Sequence, residues 1–177
     1  MRFLLVGGFA ESLLNFRGAL IDELLRNGVE VHVAAPGLEG GELAQALRKR
    51  GAIPHDIPLQ RTGMNPLADV GALFSLRRLM IRLRPEVFLG YTIKPVIYGL
   101  LAARLAGVKR RYALITGLGY AFQDRPAGLK GQLISGVART LYRLALKCAH
   151  RVFFQNPDDE ALFRALGLLA EGAASEV

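Results

Sequence analysis

Four short segments of this 177-residue chain carry residue types that hold polar ligands. Gly7-Gly8 comes just ahead of Glu11 and Ser12. Two glycines before a helix start let backbone N–H groups and the helix dipole approach a phosphate, or simply make a tight strand-to-helix turn. Tyr91-Thr92-Ile93-Lys94-Pro95 sets a lysine beside a helix-starting proline. There the ammonium either neutralises a phosphate or carboxylate or is an ordinary surface lysine. Thr116 to Phe122 offers a hydroxyl, Gly117 and Gly119, and the aromatics Tyr120 and Phe122, which stack on a sugar, meet a lipid chain, or pack in the core. Gln155 and Asn156 can hydrogen-bond a ligand, while Asn156-Pro157-Asp158-Asp159 also reads as a turn and helix cap.

Other chemistries are excluded. Gly7-Gly8-Phe9-Ala10-Glu11-Ser12 lacks the glycine spacing of the dinucleotide fingerprint, and the second strand ends in Ala34-Ala35-Pro36 without an acid for a ribose. In Gly117-Leu118-Gly119-Tyr120-Ala121-Phe122 the third glycine is replaced by Phe122. Lone Cys148 makes no internal bridge and fits a reducing, cytosolic compartment. With His32, His55 and His150 scattered, no zinc ligand set forms, and no metal or cofactor is expected.

These segments need a scaffold, and the pattern supplies one. Phe3 to Val6, Val29 to Ala34, Ile53 to Leu59, Glu86 to Gly90, Tyr112 to Thr116 and Arg151 to Phe154 read as six strands. Helices follow each. Ser12 caps the first, which carries Leu13, Phe16, Leu20 and Leu24 and ends at Asn27-Gly28. Glu42 to Arg50 is a short basic helix, and Asn65-Pro66 starts another that carries Val70, Leu73, Arg77 and Arg84 and stops at Pro85. A helix through Leu105 ends at Gly107, a long one runs from about Gly131 to Ala149, and Asp158 or Asp159 caps the last, to about Leu166. Six βα repeats predict an α/β, doubly wound, mostly parallel Rossmann-like sheet. Ligands of such sheets bind at the carboxyl ends of the strands, where all four segments lie.

The net charge is +8, but fifteen Lys/Arg face only Glu86 and Asp124 between Ala72 and Asn156, a local +13 on an otherwise acidic chain. A phosphate- or carboxylate-rich partner is expected. Hydrophobic residues make up 51% of the chain, which excludes disorder. The apolar run Pro95 to Ala103 is cut by Arg104, too short to span a bilayer, and Phe3 to Ala10 reads as a strand and loop rather than a signal peptide. On the long helix, Leu133, Val137, Leu141, Leu144 and Cys148 form a stripe expected to bury, and Arg139, Arg143 and Lys147 form an opposite, exposed one. With Arg77, Arg78, Arg82 and Arg84, this basic face suits an anionic membrane surface or is simply solvated. Nucleic acid is not expected: no aromatics interleave the basic stripes, and no nucleic-acid-binding motif occurs.

The chain resembles the N-terminal domain of GT-B glycosyltransferases of family 4, the branch that builds capsule, O-antigen and related surface polysaccharides. Tyr91-Thr92-Ile93-Lys94-Pro95 with Tyr98-Gly99, and Ile115 to Phe122, carry the resemblance most specifically. Val152 to Asp159, Gly7-Gly8, Phe16-Arg17 and Arg61 to Pro66 add to it. The resemblance implies an acceptor-binding domain over residues 1–166, with a loose tail over 167–177 where a donor-binding domain would begin. It also implies a retaining enzyme that moves a sugar from a nucleotide sugar to a polyprenyl-diphosphate-linked saccharide. The setting would be cytoplasmic, peripheral at the inner membrane face. Gly7, Gly8 and Arg17 would then line the cleft near the donor phosphates, and Tyr91, Thr92, Lys94, Thr116, Gly117, Gly119, Tyr120 and Asn156 the acceptor side. No catalytic residue is identified; Glu11 orients a substrate or caps its helix. Without the donor domain's paired-glutamate motif, the chain alone is expected to be inactive. The alternative is a non-catalytic, membrane-recruiting subunit of a split transferase, and a GT-B sugar-nucleotide epimerase is a further, poorer match to the Lys94 segment.

Overall fold

The computed structural model describes residues 1–60, 65–117, 128–170 and 172–177, without the side chains of 128–135. Strand β1 (Arg2–Val6) is apolar on both faces, as a strand covered by helices on two sides must be. It pairs in parallel with β2 (Glu30–Ala35) on one side and β4 (Val87–Tyr91) on the other. With β3 (Ile53–Asp56), β5 (Arg110–Ile115), β6 (Arg151–Phe154) and β7 (Ser175–Glu176) the sheet runs β3-β2-β1-β4-β5-β6-β7, parallel throughout. The order reverses between β1 and β4, which opens the ligand crevice of such sheets there.

Alternate residues of β1 feed two cores. Phe3 and Leu5 pack with Leu13, Ile21 and Leu47 of α1 (Glu11–Asn15), α2 (Gly18–Arg26) and α3 (Glu42–Arg50). Leu4 and Val6 pack on the other face with Leu76, Val96, Leu100 and Tyr142 of α4 (Pro66–Leu83), α5 (Ile93–Leu105) and α6 (Gly128–Leu146). On that face Phe163 of α7 (Pro157–Ala165) sits edge-on to Tyr142 and Phe154. Helix α4 begins as its residues dictate: Asn65 Oδ1 accepts from Ala68 N at 3.3 Å and Pro66 opens the helix. Strand β4 and α5 approach closely because Gly99 has no side chain; a Cβ there would lie 2.5 Å from Phe88 Cζ.

Four expectations change. The first predicted helix is two, broken at Phe16-Arg17, and Ser12 lies inside α1, whose cap is Ala10. The buried stripe of α6 is turned from the expected one: Tyr142, Ala145 and Leu146 are buried, whereas Val137 and Leu144 are exposed. Tyr142 and Ala145 join the core on this face, with Tyr142 edge-on to Phe163, and this packing sets the phase of the helix. Asn156, rather than Asp158 or Asp159, caps α7. The chain after α7 buries Leu168 and Leu169 and returns to the sheet as β7, where the pattern carries no strand signal.

At the far edge of the sheet His32 and His55 stack with ring centroids 5.1 Å apart. His32 Nε2 lies 2.9 Å from Glu30 Oε1, which makes it the donor and leaves His32 Nδ1 to accept from His55 Nε2 at 2.9 Å. Burial, with help from His32 and Arg82, holds His55 down to about 4.

Candidate functional site

The site is built where β1 and β4 end. Gly7 N donates to Ala34 O, which holds the glycine turn against β2. Above it Tyr91 is buried, its phenol 2.7 Å from Ser12 Oγ. Ser12 gives its own proton to Phe9 O at 2.6 Å, so Tyr91 is the donor of the pair. A side chain at Gly7 would run into the Tyr91 hydroxyl. This explains the glycine by contact rather than by turn geometry. Burial raises the Tyr91 pKa, opposed by the Ser12 hydrogen bond and the Arg17 charge.

Arg17, at the break between α1 and α2, lays its guanidinium 4.9 Å from the Tyr91 ring centroid. Nη1 donates to Phe16 O at 2.9 Å, and burial lowers the Arg17 pKa. Its Nε is buried without a partner.

Thr92 closes the other wall. Its backbone sits at φ 66°, ψ 162°, a region costly for a β-branched residue and populated almost only by glycine. Its Oγ1 is likewise buried without a partner and lies 2.6 Å from where a Gly8 Cβ would stand. Helix α5 starts immediately after it, so the first-turn N–H groups of Ile93 and Lys94 have no acceptor within the helix. Among the described residues, Arg17 Nε and Thr92 Oγ1 are the buried side-chain polar atoms left without a partner. Arg17 lies over Tyr91 and Thr92 lies against Gly8, at the carboxyl ends of β4 and β1.

Lys94 does not stand free. Its ammonium is 2.7 Å from Asp69 Oδ1 on α4, with the two side chains only 12% and 8% exposed. Tyr98 donates to Asp69 Oδ2 at 3.0 Å, and burial followed by the Asp69 hydrogen bond raises the Tyr98 pKa well above the usual phenol range. One of the three ammonium donors is thus engaged, and α5 is tied to α4. Asp69 has no place in the sequence pattern read above, and Ser12 figures there only as a helix cap, not as the partner of Tyr91. Asp69 had a signal: it shares the inward stripe of Ala72, Leu76 and Met80, and a carboxylate there requires a partner.

Thr116 and Gly117 follow β5, beside β4, with Gly117 at φ 110°, a backbone that glycine adopts without strain. Gly119 and Tyr120 lie outside the described residues. Asn156 follows β6, two strands from β4, with its amide engaged in the α7 cap: Oδ1 accepts from Asp159 N at 2.7 Å and Nδ2 donates to Asp159 Oδ2 at 2.9 Å. Glu11 is exposed in the first turn of α1. The structure therefore gathers Gly7, Gly8, Arg17, Tyr91 and Thr92, with Lys94 beside them, and leaves Asn156 apart. Arg78, Arg82, Arg139, Arg143 and Lys147 are exposed and Arg77 is half-buried, while Arg143 Nε donates to Gly167 O. Among the described residues no three His, Cys, Asp or Glu side chains group to hold a metal ion, and no helix is long and apolar enough to cross a membrane.

The same architecture occurs in solved sugar-nucleotide enzymes. MurG from Acinetobacter baumannii superposes on 89% of this chain with a TM-score of 0.59 at 19% identity, over 41% of its own length. The UDP-GlcNAc 2-epimerase from Methanocaldococcus jannaschii covers all of this chain with a TM-score of 0.64 at 12% identity, over 45% of its own length. The lipopolysaccharide outer core galactosyltransferase WaaB gives 0.63 at 9%, again over 45% of its length. At such identities the likeness concerns the fold, which is the N-terminal half of the GT-B architecture. In sequence, the N,N'-diacetylbacillosaminyl-diphospho-undecaprenol alpha-1,3-N-acetylgalactosaminyltransferase of Campylobacter jejuni subsp. jejuni serotype O:2 is 31% identical over 157 residues. That match spans 89% of this chain and 40% of the relative. Residues 16–173, from the Phe16-Arg17 break to just before β7, match the glycosyl transferase 4-like domain, and this chain belongs to that family.

Proposed function

We propose that this chain is the acceptor-binding domain, over residues 1–166, of a retaining glycosyltransferase of bacterial surface polysaccharide synthesis, including capsule or O-antigen. The enzyme breaks the bond between a sugar and its nucleoside diphosphate and forms a glycosidic bond to a hydroxyl of a polyprenyl-diphosphate-linked saccharide. The observation that carries this reading is the pair of unpartnered buried polar atoms, Arg17 Nε and Thr92 Oγ1, flanking Gly7-Gly8 at the switch point. A phosphate in the crevice satisfies both, beside the N-terminal end of α5 and its dipole. Gly7, Gly8 and Arg17 then face the donor phosphates. Tyr91, Thr92, Lys94, Thr116 and Gly117 line the acceptor side.

The Campylobacter relative supports the acceptor class, because its name describes transfer to a diphospho-undecaprenol saccharide. The basic faces of α4 and α6 support work at an anionic membrane surface, peripheral on the cytoplasmic side. The test is a transfer assay with a nucleotide N-acetylhexosamine and an undecaprenyl-diphosphate saccharide, in the polypeptide that carries this domain together with a donor-binding domain. Arg17→Ala and Thr92→Val each lower kcat/KM by roughly ten-fold or more, the cost of a lost hydrogen bond to a charged group. Unaltered kcat/KM in both variants refutes the crevice assignment.

A further inference from the structure

Ser12 is 1% exposed inside α1, out of reach of any substrate, yet its hydroxyl joins elements at the carboxyl ends of β1 and β4. It donates to Phe9 O at 2.6 Å, the back-bond to the third preceding carbonyl with which a helical serine satisfies its proton. Its lone pairs stay free, and they accept the buried Tyr91 phenol at 2.7 Å. The glycine turn boxes in the same phenol oxygen, since a Cβ on Gly7 would collide with it. The Tyr91 ring is thus pinned at its tip, and over its face lies the Arg17 guanidinium, 4.9 Å from the centroid. Among the described residues that guanidinium has one hydrogen bond, from Nη1 to Phe16 O, and its buried Nε has none. What the ring does beneath it therefore decides where Nε points.

We infer that Ser12 is a positioning residue for Arg17: its hydroxyl holds the Tyr91 phenol, which fixes the ring under the guanidinium and so the direction of Arg17 Nε. This rests on the reading that Arg17 faces the donor phosphates, and it adds what aims it. Ser12→Ala strands the phenol, because the space vacated by one hydroxyl is smaller than the about 30 Å³ a water takes in the liquid. A buried O–H without an acceptor is costly, so the ring turns to find one and the guanidinium loses its seat. Tyr91→Phe keeps the ring and leaves no O–H to satisfy, while Ser12 still donates to Phe9 O. Damage done by Ser12→Ala is therefore repaired by adding Tyr91→Phe. A serine that only filled space would show no such repair.

The first test reads Arg17 in this chain, through its Nε–H resonance in a proton–nitrogen correlation spectrum, assigned by its loss in Arg17→Ala. In wild type the resonance is displaced by the Tyr91 ring current. Ser12→Ala moves it toward the position of a free arginine, and Ser12→Ala/Tyr91→Phe returns it to the position seen in Tyr91→Phe. The second test is the transfer assay described above, run well below the melting temperature of each variant. Ser12→Ala lowers kcat/KM for the nucleotide sugar about five-fold, and the Ser12→Ala/Tyr91→Phe enzyme matches Tyr91→Phe to within about two-fold. Because Ser12 acts through Arg17, Ser12→Ala lowers the rate of Arg17→Ala by no more than about two-fold. If Ser12→Ala alone does not fold, a double variant that folds and matches Tyr91→Phe in the spectrum supports the same conclusion. The inference is overturned if the Nε–H resonance of Ser12→Ala coincides with that of wild type, if Tyr91→Phe does not restore it, or if the Ser12→Ala and Arg17→Ala losses multiply. A resonance that moves and recovers as expected, with kcat/KM unaltered in Arg17→Ala, upholds Ser12 as the residue that positions Arg17 and refutes the phosphate reading alone.

Discussion

Replacing Asp69 with alanine strips Lys94 and Tyr98 of their shared partner. The pair is nearly buried, at 12% and 8% side-chain exposure, with N···O at 2.7 Å. Removing one member of such a pair costs about 3–5 kcal/mol, because the other charge stays behind without compensation. Lys94 keeps slight contact with solvent, which places the loss at the low end, about 3 kcal/mol. For a domain of this size that lowers the melting temperature by roughly 6–12 °C. Lys94→Met strands the carboxylate instead and costs a similar amount, whereas the double variant removes both charges and loses less than the sum. A double-mutant cycle by urea denaturation, followed by circular dichroism, is expected to give a coupling of about 2–3 kcal/mol. Single losses that add to within about 0.5 kcal/mol refute the claim that the pair acts as a buried unit. The functional consequence follows from position: Lys94 and Tyr98 are in the first turns of α5, so without Asp69 the adjacent strained Thr92 turn is less firmly held, and acceptor binding falls with stability.

Gly8→Ala drives a Cβ against Thr92 Oγ1 and, by displacing that acceptor-side hydroxyl, is expected to weaken binding of a diphosphate acceptor roughly ten-fold, measured by calorimetry; wild-type affinity removes the Gly8–Thr92 contact from the site. Gly99→Ala, which sets a Cβ against Phe88 in the core, costs about 1–3 kcal/mol by opening the β4–α5 contact, readable as a lower melting temperature with no change in ligand affinity at 15 °C below it. His55 is held down from 6.5 to about 4, so between those values the unfolded chain binds a proton that the native chain refuses. The associated stability is complete above about pH 6.5 and lost as pH falls toward 4, about 1–2 kcal/mol once its half-exposed position is discounted. His55→Gln removes that part of the slope in urea midpoints taken from pH 7.5 to 4; an identical slope in the variant contradicts the assignment.

The strands were legible because burial on two faces leaves a compositional mark: Phe3-Leu4-Leu5-Val6 and Val87 to Gly90 can be little else between breakers. The crevice followed from them, since parallel topology sends the glycines and the Tyr91-Thr92 turn to the same end. What escaped has physical causes. The positive φ of Thr92 is imposed by the junction of β4 with α5 and has no signature in residue type. The Asp69–Lys94 bond joins residues 25 positions apart, a distance over which periodicity says nothing. The phase of α6 depends on the packing of Tyr142 against Phe163, so Val137 and Leu144 turn outward despite their apolar pattern. Val70 lies on the expected helix, and only the packed fold shows it exposed. A strand of two residues such as β7 is too short to carry a pattern at all.

The most direct test of the account is calorimetric titration of this chain with a short-chain, water-soluble polyprenyl-diphosphate saccharide and with its dephosphorylated counterpart. The account predicts binding of the diphosphate compound, at least ten-fold weaker binding of the dephosphorylated one, and a similar loss in Thr92→Val. Equal affinity for the two compounds, or a Thr92→Val titration that overlays the wild type, contradicts it.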